Sequence, residues 1–193
     1  MKKNTLFLFF IFAISIFLFS ETKVTYKTYD FKDLKMSVTV PKNWKFEEVT
    51  NDKLIQKIWK PEKETSGSDN FWFFIGKGVL NDFTKDPAKS TNKEIDSIQS
   101  FIEYEFETSF ENQGYFIDDV KKSIKTINGK SFYYFDFLLG YDYEYEDEIY
   151  TEYTRSLIYF TNDIAITYIV ESEFVSTDQQ KILDKILESM KFY

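Results

Sequence analysis

The residues best supplied for chemistry lie between Tyr141 and Tyr153, in the run YDYEYEDEIYTEY. This run holds Asp142, Glu144, Glu146, Asp147, Glu148 and Glu152 and no basic residue; Arg155, the sole arginine of the chain, follows just after it. On an extended strand successive side chains point to opposite faces. Tyr141, Tyr143 and Tyr145 would then share one side, and Asp142, Glu144 and Glu146 the other. Like charges on one strand face repel and favour a cation or a basic partner. Three uses fit: a solvated, acid-decorated connection between strands, a contact for a protein with a basic surface, or a cation site. Calcium needs about six to eight converging oxygens, and the run lacks the glycine and closing glutamate of an EF-hand. Arg155 offers a fork for a carboxylate or phosphate, or an ordinary ion pair with an acid across the sheet.

Elsewhere the chemical inventory is thin. The chain contains no His and no Cys, which excludes Ser-His-Asp and Cys/His catalysis, the usual zinc sites and disulfides. A glycan hydrolase working through two carboxylates is the enzymatic option, but acids are so plentiful that no pair stands out. The expectation is a non-catalytic domain with no cofactor. Trp44, Trp59 and Trp72, with Tyr133 and Tyr134, could line the groove of a small-molecule or lipid carrier; aromatic residues on strands more often form core. Asp136 lies in the otherwise apolar segment Phe132 to Leu139, and if buried there it needs a partner. Gly76-Lys77-Gly78 lacks both the preceding spacing and the following Ser or Thr of a phosphate loop, and reads as a bulge or strand end.

Charge and the amino terminus limit the partners. Lys2 and Lys3 precede an apolar-dominated run from Leu6 to Phe19, and polar sequence resumes at Ser20. This is the secretory leader pattern, with cleavage expected after Ser20. The alternative is an uncleaved amino-terminal anchor, for which the run is short against the ~20 residues of a spanning helix. Either way the domain at 21–193 is expected outside the cytoplasm, secreted or periplasmic. No Cys follows the run, so a lipoprotein is not expected. The whole chain carries a net charge of −8, and residues 21–193 hold 22 basic against 32 acidic side chains. Nucleic acid and anionic membranes are therefore expected to repel it.

The elements that must position these groups read as follows. Strands are expected at Val24–Tyr29, Lys35–Val40, Leu54–Trp59 and Phe71–Leu80, with a polar loop from Pro61 to Asn70 around Ser66, Gly67 and Ser68. Ser90–Gln113 reads as a helix: Thr91 and Glu94 form a capping box, and Ile95, Ile98, Ile102, Phe106 and Phe110 recur at helical spacing. Gly114 suits the left-handed cap, and Asp96, Glu103, Glu107 and Glu111 make an acidic outer face. Asn128–Gly129 joins Lys121–Ile127 to Lys130–Leu139 as a hairpin, and the apolar Phe132–Leu139 segment reads as a strand covered on both faces. Asn162–Asp163 joins Thr154–Phe160 to Ile164–Val170. Ser176–Met190 is a closing helix, capped by Ser176 and Gln179 or by Thr177 and Gln180, with Ile182, Leu183, Ile186, Leu187 and Met190 on one side.

The order of these elements, the segment Met36-Ser-Val-Thr-Val-Pro-Lys-Asn-Trp44 and the ending Leu187-Glu-Ser-Met-Lys-Phe192 together resemble the PsbP-like superfamily, which includes PsbP, DcrB and LpqN-type proteins. The resemblance covers nearly all of residues 24–193. It implies an α+β fold, an α/β/α sandwich with a central antiparallel sheet, one long mid-chain helix and a carboxy-terminal helix. It implies no catalytic residues, since members mostly bind proteins or ligands. Function then falls to the acidic strand, as an exported accessory domain that contacts another envelope or extracellular protein.

Overall fold

A computed structural model of the chain describes residues 24–50, 55–62, 71–77, 86–110, 115–145 and 148–193. The expected leader, the loop residues Ser66 to Ser68, Gly78, Glu111, Gly114, Glu146 and Asp147 lie outside this set, as do the side chains of Phe106, Glu107 and Phe110. Among the described residues no helix is long and apolar enough to cross a membrane.

Among the described residues ten strands and two helices follow in order: β1 Tyr26–Phe31, β2 Met36–Pro41, β3 Trp44–Thr50, β4 Ile55–Pro61, β5 Phe71–Lys77, α1 Asn92–Phe110, β6 Tyr115–Ile127, β7 Lys130–Tyr145, β8 Glu148–Phe160, β9 Ile164–Val170, α2 Thr177–Ser189 and β10 Lys191–Phe192. A short 3-10 turn, Pro87–Lys89, precedes α1. Seven strands form one sheet in the order β3-β4-β5-β9-β8-β7-β6, and β1, β2 and β10 form a second, three-stranded sheet. All of the pairings are antiparallel.

Side-chain alternation along β7 assigns the layers. Tyr133, Phe135 and Phe137 pack with Ile95 and Ile98 of α1. Phe132 points to the opposite face and joins Leu157, Tyr168, the α2 residues Leu183 and Ile186, and Met190 just after the helix. The central strand is therefore covered twice, as its unbroken apolar run requires. Val38, Val40, Trp44, Trp59 and Phe73 extend the second core beneath the small sheet. Trp44 lies edge-on to Phe71 at 4.9 Å between centroids, a packing contact and not a binding surface.

Local signals account for several boundaries. Ser176 and Gln179 form the reciprocal capping box of α2, and the Glu94 carboxylate accepts a hydrogen bond from the Thr91 N–H at 2.8 Å ahead of α1. At the Asn128–Gly129 turn φ is 47° and 83°, the left-handed pair that a two-residue hairpin needs. Asn128 also reaches the end of α2, where its side-chain amide donates to the Glu188 carbonyl at 3.0 Å and to the Met190 carbonyl at 2.5 Å. The turn thus caps a helix 60 residues away in sequence.

Two expectations are corrected. The stretch after Pro41 is a further strand, β3, and its first residue is Trp44. The run Tyr141–Tyr153 is not merely a connection, because β7 continues to Tyr145 and β8 begins at Glu148. The two strands extend well beyond the sheet body.

Candidate functional site

β6 accompanies β7 only as far as the Tyr115–Tyr141 register, and β9 accompanies β8 only as far as Val170–Arg155. Beyond those points β7 and β8 pair with each other alone, down to Tyr145 opposite Glu148. Among the described residues this makes a two-stranded arm with both edges unpaired. A ribbon of this kind gains little from burial and is marginal in isolation. Cross-strand and diagonal side-chain pairs must hold it instead.

Tyrosine rings supply those pairs. On the α1 face Tyr115 lies 4.7 Å from Tyr141, Tyr141 stacks 6.2 Å from Tyr143, and Tyr143 stacks 5.8 Å from Tyr150, measured between centroids. Tyr145 meets Tyr150 edge-on at 6.3 Å. Toward the tip both faces open to solvent: Tyr145 on the tyrosine strip is 59% exposed, and Ile149, beside Glu144 on the other face, is 78% exposed.

The carboxylates do not gather on one face. Asp142 and Glu144 project opposite the tyrosines, as their alternation requires. By register, however, Glu152 lies beside Tyr141 and Glu148 beside Tyr145, which puts both acids on the tyrosine face. Asp142 accepts a hydrogen bond from the Thr151 hydroxyl at 2.6 Å, and Glu148 accepts one from the Tyr150 hydroxyl at 2.8 Å. That second bond holds the Tyr150 hydroxyl above its ordinary pKa. Glu146 and Asp147 lie outside the described residues. Among the described residues no three carboxylates converge as metal ligands would. What the arm presents is acid on both faces and the strip of stacked tyrosines on one.

Arg155 is not part of that surface. It is 8% exposed, at the base of the arm. Its Nε donates to Asp136 Oδ1 at 2.7 Å, one terminal nitrogen to the Glu173 carbonyl at 3.0 Å and the other to Asp119 Oδ2 at 3.2 Å. The hydrogen bond to Asp136 raises the guanidinium pKa further. Arg155 therefore supplies the partner that a buried Asp136 requires. Asp119 sits at φ 47° in a bulge where the β6–β7 register shifts. Its carboxyl is held below the ordinary range by a hydrogen bond from Lys121, with a further contribution from Arg155. The chain's single arginine thus makes its three contacts within the body of the domain, at the base of the arm.

Of the aromatic candidates for a groove, Trp44, Trp59 and Tyr133 are core. Trp72 is half-buried on β5, and Tyr134 lines a cleft under α2. The sequence reading missed Lys57, whose side chain is 3% exposed and is paired with Glu48 at 2.6 Å and Asp33 at 3.1 Å. Its position two residues before the buried Trp59 was the available signal, because the two share a strand face.

No family model and no curated protein matches the chain in sequence. Among solved structures it is similar to cyanobacterial PsbP (CyanoP) from Synechocystis, with a TM-score of 0.52 and 10% identity over 90% of this chain and 96% of that one. A crystal structure of a Bacteroides thetaiotaomicron protein aligns with a TM-score of 0.40 and 13% identity, over 86% of this chain and 48% of that one. The fold is PsbP-like.

Proposed function

We propose that this chain is an exported, non-catalytic binding domain whose β7–β8 arm engages a basic surface of another envelope or extracellular protein. The observation that carries this reading is the arm itself: a ribbon with two open edges and exposed rings, bearing six acids from Asp142 to Glu152 and no base. Open edges invite pairing with another chain. Charge of a single sign repels a second copy of the same arm and steers an oppositely charged partner. Tyrosine adds contact area at low entropic cost and stacks on Arg or Lys side chains. The amino-terminal leader pattern supports export. A carboxylate-pair hydrolase gains no support, because Asp142, Glu144, Glu148 and Glu152 line a ribbon and, among the described residues, do not face each other across a cleft.

The test is recovery of a partner from envelope extract, followed by affinity measurements at low and high salt. Raising salt from 0.1 to 1 M shortens the screening length from about 10 Å to about 3 Å, so binding should weaken steeply. Neutralising Asp142, Glu144, Glu148 and Glu152 to Asn or Gln removes four exposed charges at about 0.2–1 kcal/mol each. The expected loss is roughly 1–4 kcal/mol, or about fivefold to several-hundredfold in affinity. Affinity unchanged by both salt and neutralisation would rule the reading out.

A further inference from the structure

A second feature lies on the other face of the sheet, under α2. There a cleft of about 380 Å³ opens between the helix and strands β6, β7 and β8. Tyr134 and Tyr159 are direct cross-strand neighbours, their rings 4.8 Å apart and tilted by 45°. Lys125 reaches over the Tyr134 ring at 5.4 Å. From the helix side come Asp184 and Glu188, one turn apart, and Gln180, whose amide donates to Asp184 at 2.7 Å. Ile127, Leu157 and Leu187 supply the apolar part of the lining.

The Tyr159 hydroxyl makes no hydrogen bond among the described residues, although the residue is only 8% exposed. Burial, and then the nearby Asp184 and Asp136 carboxylates, push it up to about 12, so it stays a neutral donor and acceptor at any physiological pH. Tyr134 is pushed up as well, by burial first and then by Asp136. A free hydroxyl in a part-closed polar cleft lacks only something to bond.

The lining discriminates among ligand classes. An anion would approach Asp184 and Glu188. A cation would meet Lys125, which already covers the ring where a cation would sit. A lipid chain would lie against Lys125, Gln180 and both carboxylates and could hydrogen-bond none of them. A neutral, hydroxyl-rich ring avoids all three penalties: its hydroxyls can donate to the carboxylates and accept from Lys125 and Tyr159, and its C–H face can lie along Tyr134 and the leucines. The volume suits one or two such rings. We infer that this cleft is a saccharide site that takes a neutral mono- or disaccharide unit. Tyr134 and the arm's Tyr143 lie nine residues apart on β7, or roughly 30 Å, and on opposite faces, so the inference is independent of the arm.

The experiment is an NMR titration of the 15N-labelled protein with glucose, N-acetylglucosamine, maltose and cellobiose, and with choline and citrate as charged comparators. At least one of the four sugars should produce saturable shifts confined to residues 125–128, 157–159 and 180–188. Asp184→Ala, on the exposed side of α2, should weaken that binding about tenfold. Tyr159→Phe keeps the packing and should weaken it about threefold, and the neutralised arm should leave it unchanged. The inference is overturned if no sugar binds at tens of millimolar, if the shifts fall elsewhere, if choline or citrate binds the cleft more tightly than every sugar, or if both substitutions leave affinity intact.

Discussion

Replacing Arg155 with Met tests how the arm is joined to the domain. The guanidinium makes three side-chain hydrogen bonds, to Asp136, Asp119 and the Glu173 carbonyl. They do not count equally. The side chain of Asp119 is 43% exposed and keeps its 2.7 Å contact with Lys121, so losing Arg155 there costs little. The Asp136 side chain is 13% exposed, and Arg155 is its ion-pair partner. Met fills similar volume but leaves that carboxylate desolvated, without an opposite charge and with the Tyr134 hydroxyl as its remaining partner, which costs about 3–5 kcal/mol. A domain of this size has a total stability of about 5–15 kcal/mol, so the variant should still fold. Its urea midpoint should drop by about 1–5 M at an m-value of about 1–3 kcal/mol/M. Changing Asp136→Leu as well removes the orphan charge, and because apolar replacements of buried pairs are often neutral, the double variant should return to within about 1 kcal/mol of the parent. Urea unfolding followed by Trp fluorescence measures all three. A loss below about 1 kcal/mol for Arg155→Met, or a double variant no more stable than the single one, would show that Asp136 is not the charge Arg155 is there to neutralise.

Three other perturbations follow from the same structure. Asn128→Gly keeps the positive φ but removes the amide that caps α2, and should cost about 1–2 kcal/mol in urea unfolding; Asn128→Ala should cost about 1 kcal/mol more, because alanine resists the left-handed turn. At alkaline pH the buried tyrosines should unfold the domain: Tyr159 is raised from 10.0 to about 12, mainly by burial, so the stability it contributes is complete below pH 10 and is lost as pH climbs through 12, a loss of roughly 3 kcal/mol. Tyrosinate absorbance should then rise in step with loss of far-ultraviolet ellipticity, and ionisation of all the tyrosines ahead of unfolding would contradict this. Finally, a Cβ at Gly140 would stand 2.3 Å from the Phe116 ring; since Phe116 is 37% exposed the ring can swing outward, so Gly140→Val should cost only about 1–3 kcal/mol, and Phe116→Ala in the same chain should recover most of it.

What could be read in advance was local. The helical spacing of Ile95, Ile98 and Ile102, the Ser176–Gln179 box and the Asn128–Gly129 turn each carry their cause within a few residues, and all three recur in the structure. β3 escaped because Glu47 and Glu48 interrupt its alternation, and the first half of β8 because its charges resemble a loop. The arm holds together through cross-strand tyrosine pairs, and register is not written in either strand alone. The pairings Arg155–Asp136 and Lys57–Glu48 were illegible for the same reason: a lone charge in an apolar strand announces that it needs a partner but not which one. The cleft combines β6, β7, β8 and α2, and no spacing within any one of them marks it. Tyr134 was singled out, but Tyr159, Asp184 and Gln180 were not.

The two short motifs behind the family resemblance turn out to touch. Met36 and Ser37 of β2 pair with Phe192 and Lys191 of β10, and the Tyr193 N–H bonds the Lys35 carbonyl at 2.9 Å. β10 is only two residues long and stops short of Thr39, so another group must satisfy the backbone there. Ser189 does so: its Oγ accepts from the Thr39 N–H at 2.8 Å and can donate to the Ile186 carbonyl at 2.7 Å. A strand ending in Pro and a helix ending in Ser thus form one closure between the chain's two ends. Their joint occurrence reports how the domain is sealed and carries no information about what it binds. The same reasoning separates scaffold from function elsewhere. The closure, the doubly covered β7 and the Arg155 anchor are buried, and substitution there should be felt as stability. The described carboxylates of the arm, and Gln180, Asp184 and Glu188 on the flank of α2, are exposed, and the core packing does not depend on them. Substitutions that leave unfolding unchanged but alter binding should therefore cluster at the arm and the cleft, two separate places on one sheet.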